Sequence, residues 1–257
     1  LFLASLNTSP MFTCKESSFY APKTLNEFGW FHNKFVFAIK TYQKCGDIDG
    51  KCPFMWRQGV KHDCSKIMEL EKTNGHYRNG FKQEIELGND LLYGLLKSSD
   101  LKSLSINTYR KTTIITQKKI GQNTNYIAKK FPQTYAYLKA NRAFFDKRKS
   151  SIYKGKPAYS IFGIGDYSFA AYKIAISGMY KRTTFSLVFP ENNKALMLDD
   201  TCYFIGFDNL NDAKIAQNLL NSSLVQHFLQ AIIFPNAKRS ITKDILMRID
   251  LEKVFYY

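Results

Sequence analysis

The spacing of apolar positions changes several times along the chain, and each change predicts a different element. Residues 1–49 are aromatic and mixed, with Phe28, Trp30, Phe31, Phe35 and Phe37 close together. The polar run Gly46-Asp47-Ile48-Asp49-Gly50 closes that segment as a boundary. From 52 to 96 the apolar runs are short and broken by Gly59, Asn74-Gly75, Asn79-Gly80 and Gly88-Asn89, while residues 81–87 alternate with period two. That pattern predicts short strands joined by turns. The β-branched run at 112–117 predicts another strand. Between 124 and 149 the period lengthens: Ile127, Phe131, Tyr135, Leu138, Phe144 and Phe145 recur three or four apart. Pro132 suits the first turn of a helix, so the main helix is expected at 132–148. Strands are expected again at 172–176, 185–189, 195–198 and 202–207. Residues 211–233 carry the stripe Ile215, Leu219, Leu220, Val225, Phe228, Leu229 and Ile232, a helix bent near Asn221-Ser222-Ser223. The expected fold class is α+β: mixed, mostly antiparallel short strands with flanking helices.

Composition narrows this picture. A chain of 257 residues that is 45% apolar and 15% aromatic can bury a core, which excludes a disordered polycation. No stretch approaches the roughly 18 apolar residues of a membrane helix, so no membrane partner is expected. The chain opens on Leu1, and residues 1–12 lack the charged flank of a signal peptide, so it reads as a piece of a longer protein. Five scattered cysteines (Cys14, Cys45, Cys52, Cys64 and Cys202) argue against a disulfide framework and for a cytoplasmic location.

Charge changes the picture most. The formal net charge is +16, and +15 of it falls between Lys97 and Arg182, where the acidic residues are Asp100, Asp146 and Asp166. A solvated face carries both signs interspersed, whereas a surface kept positive by a polyanion partner does not. Nucleic acid is therefore the expected partner, gripped through counterion release. With 29 Lys and 8 Arg, guanidinium groups able to bind a guanine edge bidentately are scarce.

Several motifs carry candidate chemistry. The segment Phe162-Gly163-Ile164-Gly165-Asp166-Tyr167 lacks the third glycine of a dinucleotide-binding loop and reads as a tight turn or a close backbone approach. As a functional loop it would bring Tyr167 and Lys173 to a phosphate. Cys45, Cys52, His62 and Cys64 match no zinc module in their spacing and read as buried side chains. Asp200, Asp212 and Lys214 are a loose form of a metal-dependent nuclease set, against the reading that Asn211-Asp212 caps a helix. Around Lys147, Arg148, Lys149, Ser150, Tyr153, Lys154 and Lys156, cations interleave with hydroxyls and an aromatic ring, as phosphate contacts require. Trp56, Arg57 and Gln58 with Lys61 join an aromatic, an Arg and an amide around a glycine, residue types that read base edges. The chain has no Pro-Pro and no phosphate-binding Gly-x4-Gly-Lys loop. No catalytic, cofactor-binding or metal-binding residue is expected in it.

The order Gln58-Gly59-Val60-Lys61-His62-Asp63, Leu95-Leu96-Lys97-Ser98-Ser99-Asp100, Pro132, Tyr137-Leu138, Arg148-Lys149-Ser150 and Leu219-Leu220-Asn221-Ser222 resembles the landmarks of a TaqI-like C-terminal specificity domain, over about residues 51–250. Such domains are the target-recognition half of N6-adenine DNA methyltransferases in restriction-modification systems. The resemblance implies double-stranded DNA as partner, together with a methyltransferase catalytic domain in cis or in trans. S-adenosylmethionine would then be bound by that catalytic domain and not by this chain. Residues 1–50 would be the trailing end of the catalytic domain or a linker, and 51–257 the DNA target-recognition domain. Phosphate grip is expected from Lys97, Lys118, Lys119, Lys147, Arg148, Lys149, Ser150, Tyr153, Lys154, Lys156, Lys173, Lys181 and Arg182. Sequence readout is expected from Trp56, Arg57, Gln58, Lys61 and Ser99. A nuclease and a separate specificity subunit are the alternatives.

Overall fold

A computed structural model describes residues 28–257 except Lys181, Asn236 and Lys238. Cys14 and Lys181 therefore lie outside the described residues, as do residues 1–27 of the expected upstream segment. By packing, the described residues divide into a unit made of 28–55 with 218–257 and a second unit of 56–217. Residues 218–257, expected to continue the DNA-binding domain, thus group with the N-terminal segment.

In the first unit, β1 (Gly29–Phe31) and β2 (Lys34–Val36) form a hairpin, and Phe35 of β2 stacks on Phe234 with centroids 5.5 Å apart. Helices Ile39–Cys45 and Ser223–Ile232 pack alongside, burying Ile39, Tyr42, Val225, Phe228 and Leu229. The charge centre of the unit is the buried Asp49. It accepts from Tyr42 Oη (2.5 Å) and Arg248 Nη2 (2.5 Å), with Lys34 Nζ at 3.0 Å. Burial alone would favour the neutral acid, but these donors reverse that and hold the Asp49 carboxyl below the usual carboxylate range.

The second unit holds two sheets. The strands are β3 (Arg57–Gln58), β4 (Glu69–Thr73), β5 (His76–Arg78), β6 (Glu84–Ile85), β7 (Leu92–Leu96), β8 (Ser105–Ile106), β9 (Lys111–Ile114), β10 (Tyr172–Ser177), β11 (Ser186–Val188), β12 (Met197–Leu198) and β13 (Cys202–Phe207). One sheet has the order β12-β7-β9-β4-β5-β6 and the other β3-β13-β10-β11-β8. The pairings are antiparallel except β11 with β8 and β12 with β7. The chain leaves the six-stranded sheet after β7 for the other at β8, returns at β9, leaves for β10 and β11, returns at β12 and leaves again at β13, so neither sheet is a contiguous stretch of sequence. The α+β class with short antiparallel strands is as expected.

The turn at Asn74-Gly75 forms: φ is 50° and 85°, and Thr73 pairs with His76 across a two-residue loop. The alternation at 81–87 does not make a long strand. Only Glu84–Ile85 pairs, and most of the segment is exposed, because alternation without a sheet face to bury leaves little to hold it. The helix expected at 132–148 is two, Pro132–Ala140 and Arg142–Asp146. At Asn141 both the backbone N–H (3.2 Å) and the side-chain amide (2.9 Å) donate to the Tyr137 carbonyl, ending the first helix. Leu138 and Phe145 still reach one core, with Ile127, Leu70, Leu92, Leu95 and Ile114. The 211–233 stripe also divides, into Leu210–Leu220 and Ser223–Ile232. Ser222 caps the latter by accepting from Val225 N at 3.4 Å. Among the described residues no helix is long and apolar enough to cross a membrane.

Candidate nucleic-acid interface

Strand β3 is only Arg57 and Gln58, at the edge of the five-stranded sheet, where they pair with Phe204 and Tyr203. The chain then runs in extended contact with two other segments. Val60 N donates to Leu198 O (2.7 Å), and Lys61 and Phe162 exchange backbone hydrogen bonds of 2.9 Å each way. Glycine is required at the crossing. A Cβ on Gly59 would lie 2.2 Å from Asp199 O, and one on Gly163, whose φ is +65°, would lie 2.1 Å from Gly59 O. The Gly-rich 162–167 segment is therefore a close backbone approach.

This crossing sets the side chains of the loop. The Arg57 guanidinium lies 4.9 Å from the centre of the Tyr167 ring. Gln58 Nε2 donates to Asp200 O at 2.5 Å. Lys61 Nζ sits between Asp63 Oδ1 (2.7 Å) and Asp200 Oδ2 (3.3 Å). The hydrogen bond to Asp63 leads in raising the Lys61 pKa, so this ammonium is charged and already held. Trp56, expected to read DNA, is instead fully buried, with its ring 5.7 Å from that of Phe185. An indole at 0% exposure touches no ligand, and packing, not recognition, is its role.

Beneath the loop lies a buried charge network. Glu69 on β4 accepts from Lys97 (2.7 Å) and Lys111 (3.1 Å), and Lys97 is also 3.9 Å from Asp199. Burial works against the charge on Glu69, but the two lysines prevail and its pKa is lowered. For Asp199 burial prevails over its bonds to Thr201 and the pKa is raised. Burial pushes the His62 imidazole down to about 4, and its Nδ1 accepts from Cys64 N at 3.1 Å. Lys97, expected on phosphate, is committed to this network. Ser99 Oγ accepts from Arg110 Nη2 at 3.0 Å.

The basic segment divides into pinned and free cations. Arg148 donates to the carbonyls of Ser160 (2.6 Å), Phe145 (3.1 Å) and His62 (3.3 Å) and lies 3.7 Å above the Tyr153 ring. Its donors face inward, which corrects the expectation of a phosphate contact: three carbonyls of the fold take them first. Tyr153, under that guanidinium, has a phenol whose pKa is raised above the usual range, chiefly by burial. Lys147, Lys149, Lys154 and Lys156 are exposed and carry no ion pair among the described residues. Ser150, Tyr153, Lys154 and Lys156 line a cleft of about 230 Å³. Lys118 and Lys119 are exposed in the loop after β9. Lys173 is 1% exposed, with Nζ donating to Ala170 O at 2.9 Å, and burial lowers its pKa to about 7. It is a core residue and not the phosphate contact expected. Arg182 is exposed and donates to Lys102 O at 3.2 Å.

Among the described residues no group of three or more His, Cys, Asp and Glu is placed to hold a metal ion. Cys45, Cys52, Cys64 and Cys202 are buried. Of the nuclease set of Asp200, Asp212 and Lys214, Asp200 pairs with Lys61, and Asp212 is an exposed residue of a helix first turn. The cap of that helix is Asn209, whose Oδ1 accepts from Asn211 N (2.7 Å) and Asp212 N (3.3 Å), two positions before the Asn211 that the sequence suggested. Sequence reasoning missed Asp63, Asp200 and Tyr167 as the partners that orient Lys61, Gln58 and Arg57. Their separations along the chain hold no periodic signal.

No family model matches the chain. It is homologous to a type II methyltransferase. That relative is M.NspV of Nostoc sp., 40% identical over 225 residues, which cover 87% of this chain and 47% of the relative. The chain thus spans about half the length of the curated relative it matches. Among solved structures, the type IIL restriction-modification enzyme MmeI in complex with DNA overlays 82% of this chain and 37% of its own, at 12% identity and a TM-score of 0.40.

Proposed function

We propose that this chain is the target-recognition part of an S-adenosylmethionine-dependent adenine-N6 DNA methyltransferase of a restriction-modification system, and that it binds double-stranded DNA sequence-specifically. The observation that carries the reading is the set of unpaired, exposed lysines at 118, 119, 147, 149, 154 and 156, inside a block holding +15 of the +16 net charge. Homology to half of a type II methyltransferase supports it, as does the TaqI-like order of landmarks. On this reading a catalytic domain, in cis or in trans, holds the cofactor and the target adenine. The lysines hold phosphates, while Arg57 and Gln58, oriented by Tyr167 and the Asp200 carbonyl, face base edges.

Titrating duplex DNA against the chain at several salt concentrations tests this. Contacts to some six phosphates lower affinity on the order of 10³-fold between 50 and 200 mM salt. Affinity flat across that range ends the proposal.

A further inference from the structure

Beside the six-stranded sheet is a cavity of about 630 Å³, within the roughly 300–1,000 Å³ range of small-molecule sites. Its walls include four aromatic rings from separate elements: Tyr93 of β7, Tyr126 of helix Tyr126–Lys130, Phe131 just beyond it, and Phe169 of the turn Asp166–Phe169. Tyr93 and Phe169 lie 5.7 Å apart at 72°, and Tyr126 and Phe131 lie 6.1 Å apart at 84°, both edge to face, and Lys194 Nζ sits 4.2 Å from the centre of the Tyr93 ring. Lys118 and Lys130 also line the cavity and have no ion pair among the described residues, and Asp90 adds a carboxylate.

The backbone of the loop that carries Lys118 is held by its own hydrogen bonds. Lys118 N donates to Gln122 Oε1 (2.7 Å), Gln122 N to Lys119 O (3.2 Å), and the Gln117 amide to the Gln122 carbonyl. Tyr126 Oη is tied to Thr116 O at 3.1 Å, which fixes its ring.

We propose that this cavity binds a single unstacked nucleotide, its base against the rings and its phosphate on Lys118 and Lys130. The combination selects the ligand class. Inorganic phosphate leaves the rings unused, an aliphatic ligand leaves the ammonium groups unused, and a quaternary cation is repelled by them. Aromatic side chains are the usual platform for an unpaired base. Asp90 suits an exocyclic amino group, as an acceptor. A base paired within a duplex is stacked on its neighbours and does not enter such a cavity, so the site goes beyond the duplex grip and takes either a nucleotide out of the helix or a free one.

The test is photocrosslinking of the full chain with 5-iodo-2′-deoxyuridine monophosphate and, separately, with a short single strand carrying one 5-iodouracil, followed by peptide mapping. Crosslinks are expected at Tyr93, Tyr126, Phe131 or Phe169, competed by unlabelled thymidine monophosphate and not by equal inorganic phosphate. The double variant Lys118→Glu/Lys130→Glu, at two surface positions, should lose at least about tenfold in yield with its melting temperature kept. Crosslinking by the mononucleotide assigns a free nucleotide, and crosslinking by the strand alone assigns a base extruded from DNA. Crosslinks elsewhere, full competition by phosphate, or an unchanged yield in the double variant overturn the site. Duplex titration of wild-type chain separates the two readings: lost duplex affinity with retained crosslinks removes the duplex grip alone, and the reverse removes this site alone.

Discussion

Arg57 and Gln58 differ from the exposed lysines at 118, 119, 147, 149, 154 and 156 in being held: one guanidinium over a ring, one amide on a carbonyl. Held groups discriminate, because the geometry of a bidentate contact is prepared before binding, and such contacts are worth about 1–3 kcal/mol each. If the proposed function holds, Arg57→Ala and Gln58→Ala in the full-length protein flatten preference among DNA sequences, while Lys154→Ala weakens all sequences alike. Binding to a panel of duplexes reads this directly, and the opposite pattern refutes the division of roles. Arg148 shows the reverse case, a cation whose donors are spent on the fold. Arg148→Ala takes the guanidinium from three carbonyls, of which that of Phe145 keeps the Arg148 backbone N–H, and should cost about 2–4 kcal/mol in urea unfolding, whereas Lys154→Ala should stay within about 0.5 kcal/mol. Arg148→Lys should not restore the loss, since a single ammonium cannot span the same acceptors.

Lys173 makes a pH prediction. Its pKa falls from 10.5 unfolded to about 7 folded, so between those values the unfolded chain binds a proton that the folded chain does not. Stability from this group therefore rises with pH across that window, on the order of 1 kcal/mol per pH unit, and is lost as pH falls towards 7. Lys173→Met should remove that slope. Denaturant melts of both proteins at pH 7, 8.5 and 10 give the difference, and equal slopes would mean that the ammonium is not buried in solution.

At the level of elements, the crossing of three segments at Gly59 and Gly163 builds the candidate site. Gly163→Ala puts a Cβ into the Gly59 carbonyl at a left-handed backbone position and should destabilise by 2 kcal/mol or more, about the cost of combined strain and clash, as read by melting. The short strands and the turn at Asn74-Gly75 were legible because turn chemistry is local. The break at Asn141 was not, because the helical stripe continues through it: Leu138 and Phe145 reach the same core from two helices, so periodicity alone sees one. Trp56 and Lys173 were misread for a related reason. Residue type reports what a side chain can contact, but burial decides what it does contact.

Across the whole chain, the charge block is the feature that sequence carried to the end, since formal charge does not depend on folding. Which charges remain available did depend on it. Lys61, Lys97 and Lys111 are held by Asp63, Asp200 and Glu69, carboxylates that lie outside the basic block, while Lys118, Lys147, Lys149, Lys154 and Lys156 carry no ion pair among the described residues. A sheet order that interleaves distant strands brings Asp200 to Lys61 across 139 positions, and no local pattern encodes that.

The sequence alone determined the α+β class, the turns and the skew of charge, because periodicity, turn chemistry and net charge are additive over neighbouring residues. Tertiary structure alone decided which cations face solvent, which rings form a cavity and which glycines must cross, because each is a relation between segments joined only by packing.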